Sequence, residues 1–416
     1  MPPKPHYGTS PWLQGFPRSR QANYPRHRGE MAIDVAIVGG GLTGCATAYA
    51  FAAAGIRVAL FEAERIAQGS TALAGGVMTS EPGPAFSAIE TRHGRRAARY
   101  AWQAWRRAAL DGAATLRRLR VQCRLTSRDL VQFAGAGFPY AADAGTRLTR
   151  EWQARQQAGL EGALIKRSGL TRDIRTEAAA GVRTHDSAQF DPYRASVGLA
   201  SAAATRGAQI FERSPIRRVK FGRHEALLEA DGGRVRAGRV IIATGLPTAL
   251  FKALRRHVTP MDTYFVLTEP VPAAIRHQLA RPAIILRDSQ APPHTLHWVD
   301  EDRRIVFGGA DQAAVPTRLQ TKTLVQRSGQ LMYELSLLYP AISGLQAVHG
   351  WSATYGLTAD GLPCIGPHRN FPHHLFALGM GRDGLAGAFL ASRILLREHL
   401  GEPNRSDEVY GFGRIL

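Results

Sequence analysis

Lysine is scarce in this 416-residue chain, present only at Lys4, Lys166, Lys220, Lys252 and Lys322, so the formal net charge of +20 is an arginine excess. The arginines fall as singles and pairs. Without long basic runs the charge reads as a coding habit rather than a polyanion-binding surface, and no nucleic-acid partner is expected. Cysteine is scarcer still: Cys45, Cys123 and Cys364 stand far apart with no Cys-x-x-Cys spacing. That argues against a disulfide framework and a zinc site, and for a reducing compartment. Histidine offers no metal site either, since neither His294 with His297 nor His373 with His374 has a third ligand at suitable spacing. No apolar run is long enough to span a membrane, and the proline-rich first thirty residues contain no secretory core. A cytoplasmic protein is expected, with residues 1–30 as an extended arm over the body or a disordered tail. Repeats at solenoid or propeller periods are absent.

What is present begins at "IDVAIVGGGLTG". Ile33 to Val38 form an apolar run of strand length, as in a parallel strand covered on both faces. Gly39, Gly41 and Gly44 then complete Gly-x-Gly-x-x-Gly: the first permits a tight turn, the second lets backbone approach a pyrophosphate, and the third lets the next helix pack close. That helix, with Leu42 and Thr43 in its first turn, aims its unpaired amides at the phosphates. A second strand, Arg57 to Phe61, delivers Glu62 where an acid accepts hydrogen bonds from an adenosine ribose. Glycine turns alone are common, but strand, glycines, helix, second strand and acid together indicate a dinucleotide.

Beyond Glu62 the small-residue loop "AERIAQGSTALAGG" brings Ser70 and Thr71 within reach of a phosphate or ring, or serves simply as a flexible connection. Residues 86 to about 125 read as basic helix with aromatic faces. The strand "GRVIIATG" ends in Ala243, Thr244 and Gly245, resuming the strand-and-helix alternation of the N-terminal part. A second Gly-x-Gly-x-x-Gly follows at Gly379, Gly381 and Gly384, with Leu385 opening its helix. Taken alone it would be a second dinucleotide site. No later strand delivers an acid, so its helix is expected to face another part of the first nucleotide.

The blocks "DVAIVGGGLTG", "LFEAERIAQGST", "FDPYRASVGLASAAATRGAQIFERSPI", "VIIATG", "TYFVLTEP", "RIVFGGAD", "WSATYGLTADGLPCIG" and "FALGMGRDGLAG" span nearly the whole chain. In order and spacing they resemble the D-amino acid oxidase-like superfamily of FAD-dependent oxidoreductases, which includes glycine oxidase, sarcosine oxidase, gamma-glutamylputrescine oxidase and the OrdL-like proteins. The resemblance implies an α/β fold: a Rossmann-like doubly wound FAD-binding domain (31–85, 181–255 and 346–400) with an interleaved α+β substrate domain carrying a mostly antiparallel sheet (86–180 and 256–345), and a tail, 401–416. It implies one FAD, with Gly39, Gly41, Gly44 and Glu62 on the ADP half, Ser70 and Thr71 near the pyrophosphate and flavin, Val219 meeting the adenine through its backbone, and Gly379 to Leu385 cradling the flavin end. Aligning on "TAD" places Ala353 where sarcosine oxidase-like members carry the cysteine that bonds the flavin, so FAD is expected to be noncovalent. Val306 stands where that subfamily has an oxygen-activating lysine, so fast oxidase activity is not expected and the electron acceptor is oxygen or another molecule.

The family reaction removes hydride from the carbon beside an amine, giving an imine. Substrate-facing candidates are Tyr264, His297, Tyr355, Arg382 and Asp383; each of the first three is alternatively a packed residue with a satisfied polar tip. Arg382 either holds a substrate carboxylate or pairs with Asp383. Two other classes stay open on sequence alone: an FAD-dependent RNA-modifying enzyme, and a flavin-binding assembly protein without turnover.

Overall fold

The computed structural model describes residues 5–17, 21, 23–135, 141–222 and 224–415; residues 1–4, 18–20 and 22 of the expected arm, and Leu416 of the expected tail, lie outside them. Two sheets organise the chain. In the first, Val58–Phe61, Gly29–Val38, Gly233–Gly245 and His374–Leu378 run parallel side by side, with Gln209–Phe211 beyond Val58–Phe61 and the antiparallel Cys364–Pro367 at the other edge. The central strands read as near-continuous apolar runs because both faces are covered. On one face, helices Leu42–Ala53, Pro192–Thr205 and Leu385–Leu400 bury Phe51, Leu199 and Leu390 in one cluster with Val35 and Ile37. On the other, Phe251, Leu254 and Phe376 pack with Ala36 and Ile242.

The second sheet is mostly antiparallel, in the order 6–7, 347–357, 259–268, 304–313, 295–299, 284–288, 126–135, 178–189, 77–78. Only the His6–Tyr7 and Ile284–Asp288 pairings, with Ala347–Leu357 and Thr126–Gly135 respectively, are parallel within that order. Three of its strands, Val77–Met78, Ala178–Gln189 and Ala347–Leu357, come wholly or largely from segments expected in the nucleotide-binding part. Conversely the basic helix Arg95–Arg118, expected in the substrate part, packs on Leu385–Leu400: a Cβ on Gly112 would lie 2.5 Å from the Phe389 ring. Its arginine face is turned outward while Trp102, Trp105 and Leu116 are buried. Among the described residues no helix is long and apolar enough to cross a membrane.

The arm is docked. His6–Tyr7 adds a parallel strand to Ala347–Leu357, Trp12 is buried, and the Arg194 guanidinium donates to Gly15 O at 3.0 Å. The tail is docked too, through the buried Tyr410 and an Arg414–Asp360 ion pair of 2.8 Å.

Candidate active site

Three neighbouring parallel strands end side by side, at Val38, Gly245 and Leu378, and the loops leaving them form a cleft of about 410 Å³ outside their carboxyl ends, where open α/β sheets bind ligands. Its wall begins at the first glycine turn. Gly39 has φ +108°, and a Cβ there would lie 2.7 Å from Ala243 O; a Cβ on Gly44 would lie 1.8 Å from Gly39 O. Helix and turn therefore touch backbone to backbone, and Gly44 works by permitting that approach rather than by lining the cleft. The Leu42 amide donates to Thr71 Oγ1 at 2.9 Å, tying the helix start to the small-residue loop. Glu62 lines the cleft at the end of its strand, fixed by the amides of Gly40 (2.6 Å) and Glu64 (2.9 Å).

The opposite wall is the second glycine pattern. Gly379 and Gly381, both at positive φ (+68° and +74°), donate to Gly245 O (2.9 Å) and Gly356 O (3.0 Å), locking the turn to the end of one strand and to the second sheet. Gly379 itself lies behind the lining. Gly381, Arg382, Gly384 and Leu385 face the same cleft as Gly39, Gly41, Leu42 and Thr43, with Ser70, Thr71, Ala243, Thr244 and Gly245 between them. One cleft, not two, thus takes both glycine patterns, and the starts of helices Leu42–Ala53 and Leu385–Leu400 both open into it. The second sheet closes it with Thr263, Phe265, Ala353 and Tyr355.

Other expected site residues are placed elsewhere. Val219 pairs with Leu228 inside a hairpin, and at that strand Pro215 and Ile216 meet the cleft instead. Tyr264 lies on the sheet face opposite Thr263 and Phe265, because strand side chains alternate; its hydroxyl accepts from Gln312 Nε2 at 2.9 Å within a core cluster. His297 borders a separate cavity of about 610 Å³ beside Trp12, Arg124 and Arg128. Burial, and then the Arg128 charge, push its pKa down to about 3, so it is a neutral imidazole away from the cleft. Arg382 and Asp383 do not bond to one another. Asp383 Oδ1 accepts from Arg287 Nη2 at 2.8 Å, while Arg382 donates to Pro293 O (2.5 Å) and Thr295 Oγ1 (2.8 Å) and stands 3.5 Å from Asp311 Oδ1. Tyr355 does reach the cleft, and its hydroxyl donates to Asp311 Oδ2 at 2.8 Å. Burial, with Asp311 adding to it, pushes the phenol pKa up, so it stays a proton donor.

Asp311 and Arg287 were not singled out by sequence, and the buried His294 was weighed there only as a metal ligand. Asp311 ends the "RIVFGGAD" block, a signal that was available; the other two carry none. His294 bridges Asp288 Oδ2 (2.8 Å) and Glu334 Oε2 (3.0 Å). Burial works against its charge, but the two carboxylates outweigh it and push the pKa to about 9.

The sequence pattern of DAO, described as FAD dependent oxidoreductase, matches residues 34–397. The chain belongs to the DAO family. Its cofactor is FAD, and the cleft suits that group: glycines leave room at both turns, two helix N-termini open into it and would favour anionic oxygens, and a fixed carboxylate, Glu62, could accept from ribose hydroxyls. The chain is 25% identical over 251 residues to a probable oxidoreductase OrdL of Haemophilus influenzae, covering 57% of this chain and only 54% of that protein, so it spans about half of that relative. It is 22% identical over 384 residues to the gamma-glutamylputrescine oxidoreductase of Escherichia coli, covering 90% and 85% of the two chains. Its fold superposes on glycine oxidase from Geobacillus kaustophilus with a TM-score of 0.74, at 21% identity and 92% and 98% coverage.

The arm bears directly on this FAD site. Trp12 Nε1 donates to Ala74 O at 2.8 Å, Ser10 Oγ bonds Ala72 O, and Trp12 packs against Gly76, while Ala74 and Gly75 line the cleft from the other side. Trp12→Ala is expected to raise the dissociation constant for FAD about tenfold, ~1.4 kcal/mol. Flavin fluorescence on serial dilution would show it, and unchanged retention would separate arm from cleft.

Proposed function

We propose that this protein oxidises the carbon–nitrogen bond of an amine or amino acid to an imine, with a noncovalently held FAD accepting hydride at N5. The observation that carries this reading is the convergence of both glycine turns and one face of the second sheet on a single cleft. The names of the relatives above agree with it. FAD, when bound, supplies the two-electron acceptor. The chain supplies the surroundings. Phe265 and Ala353 present an apolar wall that excludes water, and the start of helix Leu385–Leu400 opens into the cleft, where its amides would favour negative charge on a bound group. Tyr355, held by Asp311, offers a fixed hydroxyl to orient the substrate. No cysteine or histidine lines the cleft among the described residues, in keeping with noncovalent FAD.

Val306 is buried with Phe265 and Ala353 in an apolar cluster, which supports slow reaction with oxygen. Anaerobic absorbance spectroscopy against amines, N-methyl amino acids and D- and L-amino acids is expected to show bleaching of the flavin by one class, followed by recolouring over minutes rather than seconds in air. Flavin that no member bleaches would overturn the reading.

A further inference from the structure

We propose that the substrate is an amine with no free carboxylate beside the reacting carbon. This rests on the amine-oxidising reading above and narrows it. A carboxylate taken into a partly buried cleft needs a cation with charge to spare, best a guanidinium free to bond it in bidentate fashion. The cleft's cation beside the second glycine turn is Arg382, and two of its five N–H groups and its charge already have protein partners. Both its terminal nitrogens donate to the protein, to Pro293 O at 2.5 Å and Thr295 Oγ1 at 2.8 Å, and its charge faces Asp311, whose side chain is only 5% exposed. Arg287 stands outside the lining, bound to Asp383 at 2.8 Å, with its Nε buried and without a partner. His294 is enclosed by Asp288 and Glu334. Around Arg382, four cations (Arg287, His294, Arg327, Arg382) therefore meet four carboxylates (Asp288, Asp311, Glu334, Asp383), and no positive charge is left over for a ligand.

The polar atoms left over at the cleft point the same way. Thr263 Oγ1 is buried without a hydrogen-bond partner on a residue that lines the cleft, and Asp311 Oδ1 is buried without one directly behind Tyr355 and Arg382. Buried polar atoms seek partners; the Thr263 hydroxyl can accept or donate, whereas the Asp311 carboxylate only accepts. An amine N–H satisfies Thr263 without adding negative charge; a carboxylate, which the Thr263 hydroxyl could also serve, would bring a negative charge to a site with no positive charge left over. Asp311 is the positioning residue that sets this polarity, because it holds the Tyr355 hydroxyl and cancels Arg382 at once.

The test pairs amines with their α-carboxylated counterparts, benzylamine with phenylglycine and 1,4-diaminobutane with ornithine, on the FAD-loaded protein without oxygen, and adds benzoate as a carboxylate that cannot be oxidised. Flavin difference spectra are expected to show wild type responding to the amine of a pair at least about tenfold more tightly than to its carboxylated partner. Asp311→Asn keeps a hydrogen-bonding group for Tyr355 but frees the charge of Arg382, so benzoate should bind about tenfold more tightly to this variant than to wild type. A carboxylated member bound as well as its amine by wild type overturns the proposal, and that comparison stands even if the variant does not fold. Benzoate binding equally to wild type and to a folded, yellow Asp311→Asn protein overturns it as well. Should no pair member bleach the flavin while benzoate gains affinity only in the variant, the charge argument stands and amine oxidation itself falls.

Discussion

Gly44→Val is expected to purify without bound flavin. Even the first carbon of a side chain at Gly44 would stand 1.8 Å from Gly39 O, about half an ordinary contact, and the clash is with backbone that no rotamer change relieves. Helix Leu42–Ala53 must then back away from its strand. Its first amides leave the cleft, and the Leu42–Thr71 bond that ties the second loop is lost. Overpacking of this kind typically costs about 1–3 kcal/mol in side-chain cores, and more where backbone must shift. The ratio of absorbance near 450 nm to that at 280 nm reports flavin content. A control is Gly329→Ala, in the exposed face of helix Thr317–Leu338, where an added Cβ meets nothing within 4 Å. It should keep its flavin and gain up to about 1 kcal/mol of stability from helix propensity. A yellow Gly44→Val protein would mean that this helix does not hold the cofactor.

Arg155→Ala is expected to be the most destabilising single change in the substrate half, by about 3–5 kcal/mol. Arg155 is buried and donates to Glu151 Oε1 (2.8 Å), Glu81 Oε1 (3.1 Å) and Gln132 Oε1 (3.2 Å), with its guanidinium 4.2 Å above the Trp102 ring. Glu151 in turn caps helix Phe86–His93, accepting from the Phe86 amide at 2.7 Å and the Ser87 amide at 3.1 Å. Removing the cation leaves two buried carboxylates facing each other's charge. Burial pushes the Glu151 pKa up, but the Arg155 charge and the Ser87 hydrogen bonds hold it below the ordinary value in the intact protein. A carboxyl with a depressed folded pKa contributes stability above its unfolded pKa and loses it as pH falls through the folded one. In the variant the Arg155 charge is gone, and burial with Glu81 close by outweighs the remaining Ser87 hydrogen bonds, so the sign reverses: protonation now relieves the buried charge. The difference in Tm between wild type and Arg155→Ala should therefore be widest near pH 7 and narrow toward pH 5. A gap that stays constant would show that Arg155 acts through packing on Trp102 rather than through charge.

The nucleotide half was legible because its signals are local. Strand, glycine turn, helix, second strand and acid follow one another within about thirty residues, and each imposes its own residue type. The second glycine pattern was legible for the same reason, and its partnership with the first followed from the missing acid. What escaped depends on pairing across long stretches of chain. Tyr264 and Tyr355 look alike in sequence; only the register of Thr259–Thr268 against Ala347–Leu357 turns one into the core and the other into the cleft. Val219 and Ile216 share one short strand, and the loop before it decides which of them meets the cleft. Arg382 and Asp383 are neighbours that read as a natural pair, yet their partners Asp311 and Arg287 arrive from strands some seventy to a hundred residues earlier. Strand membership likewise depends on distant pairing at Ala178–Gln189 and Ala347–Leu357, which join the second sheet. The arm's docking rests on Trp12 finding Ala74, a contact across 62 residues that no periodicity announces.

The central claim is that both glycine turns hold a single, noncovalent FAD. Acid precipitation of purified protein, followed by quantification of the flavin in supernatant and pellet, tests it most directly. The account predicts one equivalent of FAD per chain in the supernatant and a colourless pellet. Two equivalents per chain, flavin retained in the pellet, or a protein that takes up no FAD even when soaked in excess would contradict it.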